Sequence, residues 1–348
     1  MSRSRPSAVP VVRRQPAGDG PLRLDLVVNP YGPSVQVQDV LAGSDELHLP
    51  AGQRETRLQL RLARVVGVPP DWLLLANGVE ELLSMVLLWR RERGPLVLFP
   101  PSDPTDERRA ERHGMEVVRL QRAATFALDL DLETLAELPR GATALAGSPN
   151  DPTGTLLGSQ DAVRLTRACE LVVVDERHVE YSGRTVVPLV REFDNLIVVR
   201  SFETWAGLAG FPFAYAVVPP RLRERLEPYR RPGGVAAGAV LAAAATLDDL
   251  AYVRATVERV REERSRLYRT LRKLNMVRPF PSWANFLLAR AERGDAGEWA
   301  RDLAQRGILV HRPAQPELGS FLRFSATRPD HTDALKRALI AIAMSLEV

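Results

Sequence analysis

Short apolar runs alternate with helical patterns over the first two thirds of the chain. The run Leu171–Val174 has no polar position until Asp175, which is typical of a central parallel strand. Similar patterns predict strands over residues 95–99, 116–120, 142–146, 171–174 and 195–199. Helical spacing of apolar residues predicts helices over residues 57–66, 80–89 and 107–113. Strands that alternate with helices form βαβ units, so we expect an α/β fold with a mostly parallel sheet.

The pattern changes near residue 238, where an alanine-rich helix leads into a long charged helix. That helix is predicted over residues 252–273 and is long enough to bridge two domains. Beyond it we predict strands over 286–288, 308–310 and 321–324, with helices over 298–305 and 330–346. We therefore divide the chain into a mobile tail (1–20), an N-terminal arm (21–50), a large α/β domain (51–237) and an interdomain helix with a small α+β domain (238–348).

Polar residues follow three of the predicted parallel strands. Asp175 ends one strand, the Asn150-Asp151 loop follows another, and the loop Ser201–Trp205 follows a third. Ligands of open α/β sheets bind beyond the carboxyl ends of the strands. We expect these three segments to converge on one cleft.

Composition narrows the function classes. The 348 residues are 45% hydrophobic and 26% charged with a net charge of +4, and no basic stripe is interleaved with aromatics, so we expect no nucleic-acid partner. No apolar run approaches the roughly 18–20 residues of a membrane span, and the N-terminus lacks the apolar core of a signal peptide. The single cysteine, Cys169, excludes intrachain disulfides, and the scattered histidines predict no metal site. We expect a cytoplasmic protein.

Seven segments, in order, carry a family resemblance. Together they resemble fold-type I pyridoxal-phosphate (PLP) enzymes, closest to histidinol-phosphate aminotransferases. The segments are NPYGPS (29–34), LANGVEEL (75–82), SPNDPTG (148–154), VVVDERHVEYS (172–182), SWANFLLAR (282–290), RGILVHR (306–312) and FLRFSATR (321–328). The resemblance implies a PLP-type fold, an active site at a dimer interface and an aminotransferase activity.

The central catalytic group of that family is missing from its expected place. The stretch VVRSFETWAGLAGFPFAY (198–215) resembles the Schiff-base segment, in which a Ser-Lys pair precedes Gly-Leu-Ala-Gly. Here the pair is Glu203-Thr204, and threonine has no amine with which to form an imine. The chain has only two lysines, Lys273 and Lys336, and both lie in the predicted small domain.

Other cofactor positions can be assigned by the resemblance. Asp175 matches the aspartate that pairs with the pyridine nitrogen, although a strand-end carboxylate that caps a loop explains it equally well. His178 stands for a tyrosine that bonds the ring 3-oxygen, and Asp151 stands for an asparagine with the same role. Ser201 begins the loop that would carry the lysine. An ionised Asp151 would repel the 3-oxygen.

The segments that the resemblance assigns to the cofactor phosphate differ from the family pattern. Gly78 and the helix after it remain, but Val79 replaces a small polar residue. The stacking aromatic aligns with Asp103, the partner subunit's tyrosine with Leu49, and the phosphate arginine with the hydrophobic stretch at 211–213. A carboxylate in place of a ring removes dispersion contact and adds negative charge.

Two substrate-side features persist. Arg323 matches the arginine that clamps a substrate carboxylate, although an interdomain salt bridge is an equally good interpretation. Asn29 and Tyr31 match the arm that closes over the site, although Asn-Pro-Tyr-Gly also forms a turn in any fold.

Three functions remain open at this point. The first is a homologue that has lost transamination and binds no PLP covalently. It would form a homodimer, or a heterodimer with a lysine-containing paralogue, and could bind an unphosphorylated small molecule. The second is an active PLP-dependent aminotransferase. The third is a different acid–base chemistry that uses Asp175, His178 and Glu203.

Overall fold

A computed structural model describes residues 20–345, except for the side chain of Leu132. The predicted tail at 1–20 lies outside the described residues apart from Gly20. The strands are β1 (Leu22–Leu24), β2 (Leu73–Ala76), β3 (Leu96–Leu98), β4 (Val117–Arg119), β5 (Thr143–Gly147), β6 (Leu171–Asp175), β7 (Leu196–Ser201), β8 (Ala214–Val217), β9 (Val277–Pro279), β10 (Phe286–Ala291), β11 (Ile308–Val310) and β12 (Phe321–Ser325). The α-helices are α1 (Val35–Ala42), α2 (Gln53–Val66), α3 (Val79–Arg90), α4 (Pro104–Arg112), α5 (Leu132–Ala136), α6 (Ser159–Ala168), α7 (Val179–Ser182), α8 (Pro220–Leu226), α9 (Ala237–Asp248), α10 (Leu250–Arg272), α11 (Ala296–Gln305) and α12 (Pro329–Ser345).

A seven-stranded sheet forms the large part of the molecule, in the order β2-β8-β7-β6-β5-β3-β4. Strand β8 is antiparallel to both of its neighbours, and the ladders from β7 to β4 are parallel. The predicted neighbours β6 and β7 pair directly, with Asp175 opposite Val199. This mixed, mostly parallel sheet confirms the predicted fold class.

Strands β6 and β7 are buried on both faces of this sheet because their apolar residues alternate between two cores. Val172, Val174 and Val198 pack in one core. Val173 and Ile197 pack in the other, against α3. The continuous apolar run at 171–174 is therefore explained by burial of β6 on both faces of the sheet.

The rest of the chain adds two smaller sheets. Strands β9, β10 and β12 form an antiparallel sheet, and β1 pairs in parallel with β11, so the N-terminal arm joins the C-terminal part. The long helix predicted at 252–273 begins two residues earlier and ends at Arg272. The predicted domain limits remain a prediction. Within residues 20–345, no helix is both long enough and apolar enough to cross a membrane.

Candidate functional site

The three predicted segments meet at the carboxyl ends of β5, β6 and β7. Gly147 at the end of β5 lies opposite Asp175 at the end of β6. The backbone N–H of Ser148 donates to the Asp175 carbonyl oxygen at 2.8 Å. Asn150, Asp151 and Asp175 line one small cavity, and the third segment approaches it through Thr204, whose hydroxyl bonds the Arg177 carbonyl.

Arg177 fills the centre of this cleft. Its Nε donates to Asp175 Oδ2 at 2.7 Å, its Nη2 lies 2.5 Å from the same oxygen, and its backbone N–H donates to Oδ1 at 3.0 Å. The Asp175 side chain is only 8% exposed and that of Arg177 20%, so this ion pair is largely buried. Both carboxylate oxygens of Asp175 are thus engaged within the chain.

Asp103 faces the same guanidinium. Its Oδ2 lies 3.6 Å from Nη1 of Arg177, and its Oδ1 accepts the backbone N–H of Thr105 at the start of α4. Burial raises the pKa of Asp103, but Arg177 and the Thr105 bonds outweigh it and lower the pKa overall. The residue aligned with a stacking aromatic is therefore a helix cap and a counter-ion of Arg177.

Thr204 is tied to the same arginine. Its hydroxyl donates to the Arg177 carbonyl oxygen at 2.7 Å, and its own carbonyl accepts the hydroxyl of Tyr181 at 3.3 Å. The residue is 7% exposed. Asp175 and Thr204 therefore both contact Arg177, Asp175 through the guanidinium and Thr204 through the backbone carbonyl, and lie close to each other.

A carboxylate faces the start of α3. Gly78 precedes that helix with φ of 86°, and a Cβ built on it would lie 3.0 Å from Oε1 of Glu203. Burial raises the pKa of Glu203, while the Ser201 hydroxyl, 3.1 Å from Oε1, and the backbone N–H of Val79 favour its ionised form. Helix N-termini attract anions, and at the start of α3 the anion is the Glu203 carboxylate of the chain itself.

Arg323 is also paired inside the chain. Its Nη1 donates to both carboxylate oxygens of Asp151 at 2.5 Å, and its Nη2 donates to the Asp25 carbonyl oxygen at 2.9 Å. Its guanidinium lies 5.1 Å from the centre of the Phe286 ring. The geometry matches the salt-bridge interpretation, because the Arg323 guanidinium, which would bind a substrate carboxylate, already binds the carboxylate of Asp151.

His178 lies beside this pair without a hydrogen bond. The residue is 1% exposed, neither ring nitrogen has a hydrogen-bond partner, and the ring meets Phe286 edge-on at 5.5 Å. Burial lowers the pKa of His178 to about 4, so the imidazole is neutral at physiological pH. A neutral imidazole can accept or relay a proton, but Asp175 and Asp151 are already bound to arginines.

Asn29 and Tyr31 hold the N-terminal arm in place. The Asn29 side-chain amide donates to the Trp205 carbonyl oxygen at 2.7 Å and to Thr256 Oγ1 at 2.9 Å. Its side-chain oxygen accepts the backbone N–H of Tyr31 at 3.0 Å, and the Gly32 backbone N–H closes the turn onto the Asn29 carbonyl. Within the described chain, Asn29 therefore serves the turn and the loop after Thr204.

Little space remains in the cleft. The cavity lined by Asp103, Asp151, Asp175, Arg177 and His178 measures about 20 Å³. A water molecule needs roughly 10–15 Å³ by this measure, so the cavity has room for a water molecule but not for a ring.

Arg177 was not among the site residues predicted from the sequence. The signal was present, because the aligned family segment reads Asp-Glu-Ala-Tyr and this chain reads Asp-Glu-Arg-His. An arginine in place of an alanine two residues after Asp175 can fold back onto that carboxylate.

The model of the family "Aminotransferase class I and II" matches residues 37–342. A histidinol-phosphate aminotransferase of Roseiflexus castenholzii is 36% identical over 334 residues, which cover 92% of this chain and 90% of that protein. A chloroplastic histidinol-phosphate aminotransferase of Arabidopsis thaliana is 30% identical over 322 residues, covering 91% and 77%.

Solved structures agree in fold. A putative histidinol-phosphate aminotransferase of Erwinia carotovora matches with a TM-score of 0.86 and 21% identity, over 93% of this chain and 96% of that chain. A histidinol-phosphate aminotransferase of Sinorhizobium meliloti, solved with pyridoxal 5'-phosphate, gives 0.82 and 24% over 93% and 91%. The chain therefore belongs to the class I and II aminotransferase family and is similar to its histidinol-phosphate aminotransferases.

Proposed function

We propose that this chain is a non-catalytic member of its family, whose own side chains close the cofactor cleft. The observation that carries the proposal is the buried pair of Arg177 with Asp175, next to Thr204 at the position of the catalytic lysine. The pair satisfies the carboxylate that the family resemblance assigns to the cofactor ring, without any cofactor.

The residues present do not fit PLP. Thr204 has no amine, and its hydroxyl is bound to a backbone carbonyl. Glu203 places a carboxylate beside Gly78, where it would repel a phosphate. The free volume of about 20 Å³ has no room for a pyridine ring beside Arg177. No reaction step through PLP follows from this site.

The substrate side supports the same proposal. An incoming carboxylate would have to displace Asp151 from Arg323, and Asp151 would then be left next to the buried His178. Separating a largely buried ion pair costs several kcal/mol, because one charge is left without a partner. The cleft is therefore selective against the anions that the family resemblance assigns to it.

We further infer that the chain works as a dimer in the cytoplasm, with itself or with a lysine-containing paralogue. Large apolar side chains in the N-terminal arm and the neighbouring loop are exposed: Val35 48%, Leu47 49%, Leu49 45% and Phe211 41%. Phe211 packs over Gly238 at the start of α9, close to Leu41 of α1. Exposed apolar side chains of this size in the arm and the neighbouring loop support an interface between subunits.

A second candidate is an active histidinol-phosphate aminotransferase, which the names of the relatives at 36% and 30% identity favour. It needs a lysine in the cleft. Lys273 follows the last turn of α10 and Lys336 lies on α12, and both are exposed. That placement is our reason for preferring the non-catalytic proposal.

An amino-transfer assay tests the proposed function. The purified chain, with added PLP, histidinol phosphate as amino donor and a 2-oxo acid as acceptor, should give no turnover above the protein-free background. An active family member assayed in parallel shows that the conditions are adequate. Turnover by this chain that disappears in its Lys273→Ala or Lys336→Ala variant would replace the proposal with the second candidate.

A further inference from the structure

A second cavity lies on the other face of the large sheet, between α2, the end of β7 and the first half of α10. It measures about 360 Å³, within the range of small-molecule sites and more than twice the roughly 150 Å³ that holds benzene in an engineered protein cavity. Arg200 and Phe202 line this cavity, whereas Ser201 and Glu203 face the closed cleft. Adjacent strand residues point to opposite faces, so the two sites are separated by the sheet.

The walls of this cavity are apolar. They include Leu62 and Val66 of α2, Phe202 and Trp205 of the loop after β7, and Leu250 and Val257 of α10. The Phe202 and Trp205 rings lie 4.9 Å apart with their planes tilted by 48°. Such a surface suits a flat aromatic ring.

Polar groups gather at the inner end of the cavity. Glu180 has a carboxylate oxygen, Oε2, that is hidden from solvent and has no hydrogen-bond partner. Arg200 makes no hydrogen bond to it, because its Nε and Nη2 bind Glu176 at 3.0 and 2.9 Å, although its charge lowers the pKa of Glu180. Burial raises the pKa of Glu180 to about 8, so this carboxyl is protonated at neutral pH and can donate a hydrogen bond.

The mouth of the cavity carries positive charge. Arg261 is paired with Glu258 at 2.7 Å. Arg254, two turns before Arg261 on α10, is exposed and makes no ion pair or side-chain hydrogen bond within residues 20–345. Its guanidinium is free to bind an anion at the entrance.

We propose that this cavity binds a small aromatic carboxylate with a hydroxyl group at its far end. The ligand's carboxylate contacts Arg254, its ring packs on Phe202 and Trp205, and its hydroxyl oxygen accepts a hydrogen bond from Glu180. The ligand carries no phosphate, and its binding requires neither a lysine nor PLP. The site thus stands apart from the proposed loss of catalysis.

Calorimetric titration with three probes tests the chemistry of the ligand. At pH 7 para-hydroxyphenylacetate should bind with one-to-one stoichiometry. Phenylacetate lacks the hydroxyl and tyramine replaces the carboxylate with an amine, so each should bind at least about tenfold more weakly, a difference of about 1.4 kcal/mol. Equal binding of tyramine, or no binding of para-hydroxyphenylacetate at millimolar concentration, would overturn the proposal.

Two variants locate the site. Arg254→Ala should weaken para-hydroxyphenylacetate about tenfold and abolish the preference over tyramine, whereas Arg269→Ala, at an exposed arginine further along α10, should change neither. Val257→Trp should block binding by filling the cavity. If Val257→Trp does not fold, the difference in binding between Arg254→Ala and Arg269→Ala still shows whether the ligand lies in this cavity. Binding that neither Arg254→Ala nor a folded Val257→Trp affects would place the ligand elsewhere and contradict the proposal.

Discussion

At the residue scale, Arg177 decides the chemistry of the cleft. It binds Asp175 and Asp103, and its carbonyl oxygen holds Thr204. Despite its own burial, these carboxylates raise the pKa of Arg177, so it stays charged. Thr204, which the family resemblance places at the lysine position, and Arg177 lie in the same set of contacts, so the proposed loss of the lysine and this arginine belong together.

Removal of Arg177 should destabilise the fold. Arg177→Ala leaves Asp175 and Asp103 close together without a cation, so we expect a loss of about 3 kcal/mol in the free energy of unfolding. Adding Asp175→Asn should recover part of it, since the uncompensated charge is then gone. Urea denaturation measures both. Arg140→Ala, at an exposed arginine, is the control, and an Arg177→Ala loss no larger than this control's would remove the structural role assigned to Arg177.

Restoring the lysine alone should not restore cofactor binding. In Thr204→Lys, Arg177 still holds Asp175 and Glu203 still faces the start of α3. Borohydride reduction with PLP should therefore leave no pyridoxyl group on position 204. The combination with Arg177→Ala and Glu203→Ser removes both obstacles and should give a reduced adduct by peptide mass analysis. An adduct in the single variant would mean that Arg177 and Glu203 do not keep the cleft closed.

At the element scale, the N-terminal arm is locked against the loop that follows Thr204. Asn29 bonds the Trp205 carbonyl, and Tyr252 of α10 donates to the Tyr31 carbonyl at 2.9 Å. Gly207 lies under the arm with φ of 72°, and a Cβ there would come within 2.6 Å of the Gly32 carbonyl carbon. The turn at 29–32 thus fixes the loop from two sides.

A substitution at Gly207 tests this contact. Gly207→Ala adds both backbone strain and a clash with Gly32, so we expect a loss of about 2–3 kcal/mol in unfolding free energy. Gly67→Ala has the same positive φ, 79°, but no atom within 4 Å, so strain alone should cost about 1 kcal/mol. Thermal or urea unfolding of both variants gives the difference. Equal losses of unfolding free energy in the two variants would mean that the arm does not pack closely against Gly207.

The elements themselves follow largely from the sequence. The apolar run before Asp175 predicted β6, and the long charged helix was placed within two residues of its ends, because burial and periodicity are local signals. Strand β8 was not predicted, since Ala214–Val217 looks like the continuation of the preceding loop and its role depends on pairing with β2 and β7. The ion pair of Arg177 with Asp175 was also missed. Which side chains pair in a cleft depends on tertiary structure and not on local sequence patterns.

At the scale of the whole molecule, the proposed dimer explains the exposed apolar arm. Light scattering at micromolar concentration should give about twice the monomer mass of 38.6 kDa. Leu49→Asp with Phe211→Asp should shift the population to monomer, because each charge would be buried without a partner in an interface. A monomeric wild-type chain that also fails to associate with a co-expressed lysine-containing paralogue would contradict the dimer.

The central claim is that the chain closes its own cofactor cleft, and PLP binding to the wild-type protein tests it most directly. The protein is incubated with equimolar PLP at micromolar concentration and desalted, and its absorbance spectrum is recorded. It is then reduced with borohydride and analysed as peptides by mass spectrometry. The account predicts no new absorbance band and no stoichiometric pyridoxyl group on Lys273 or Lys336, both of which are exposed and outside the cleft. One equivalent of PLP retained by the protein with its own absorbance band, or a one-to-one pyridoxyl adduct on a single lysine under these conditions, would contradict it.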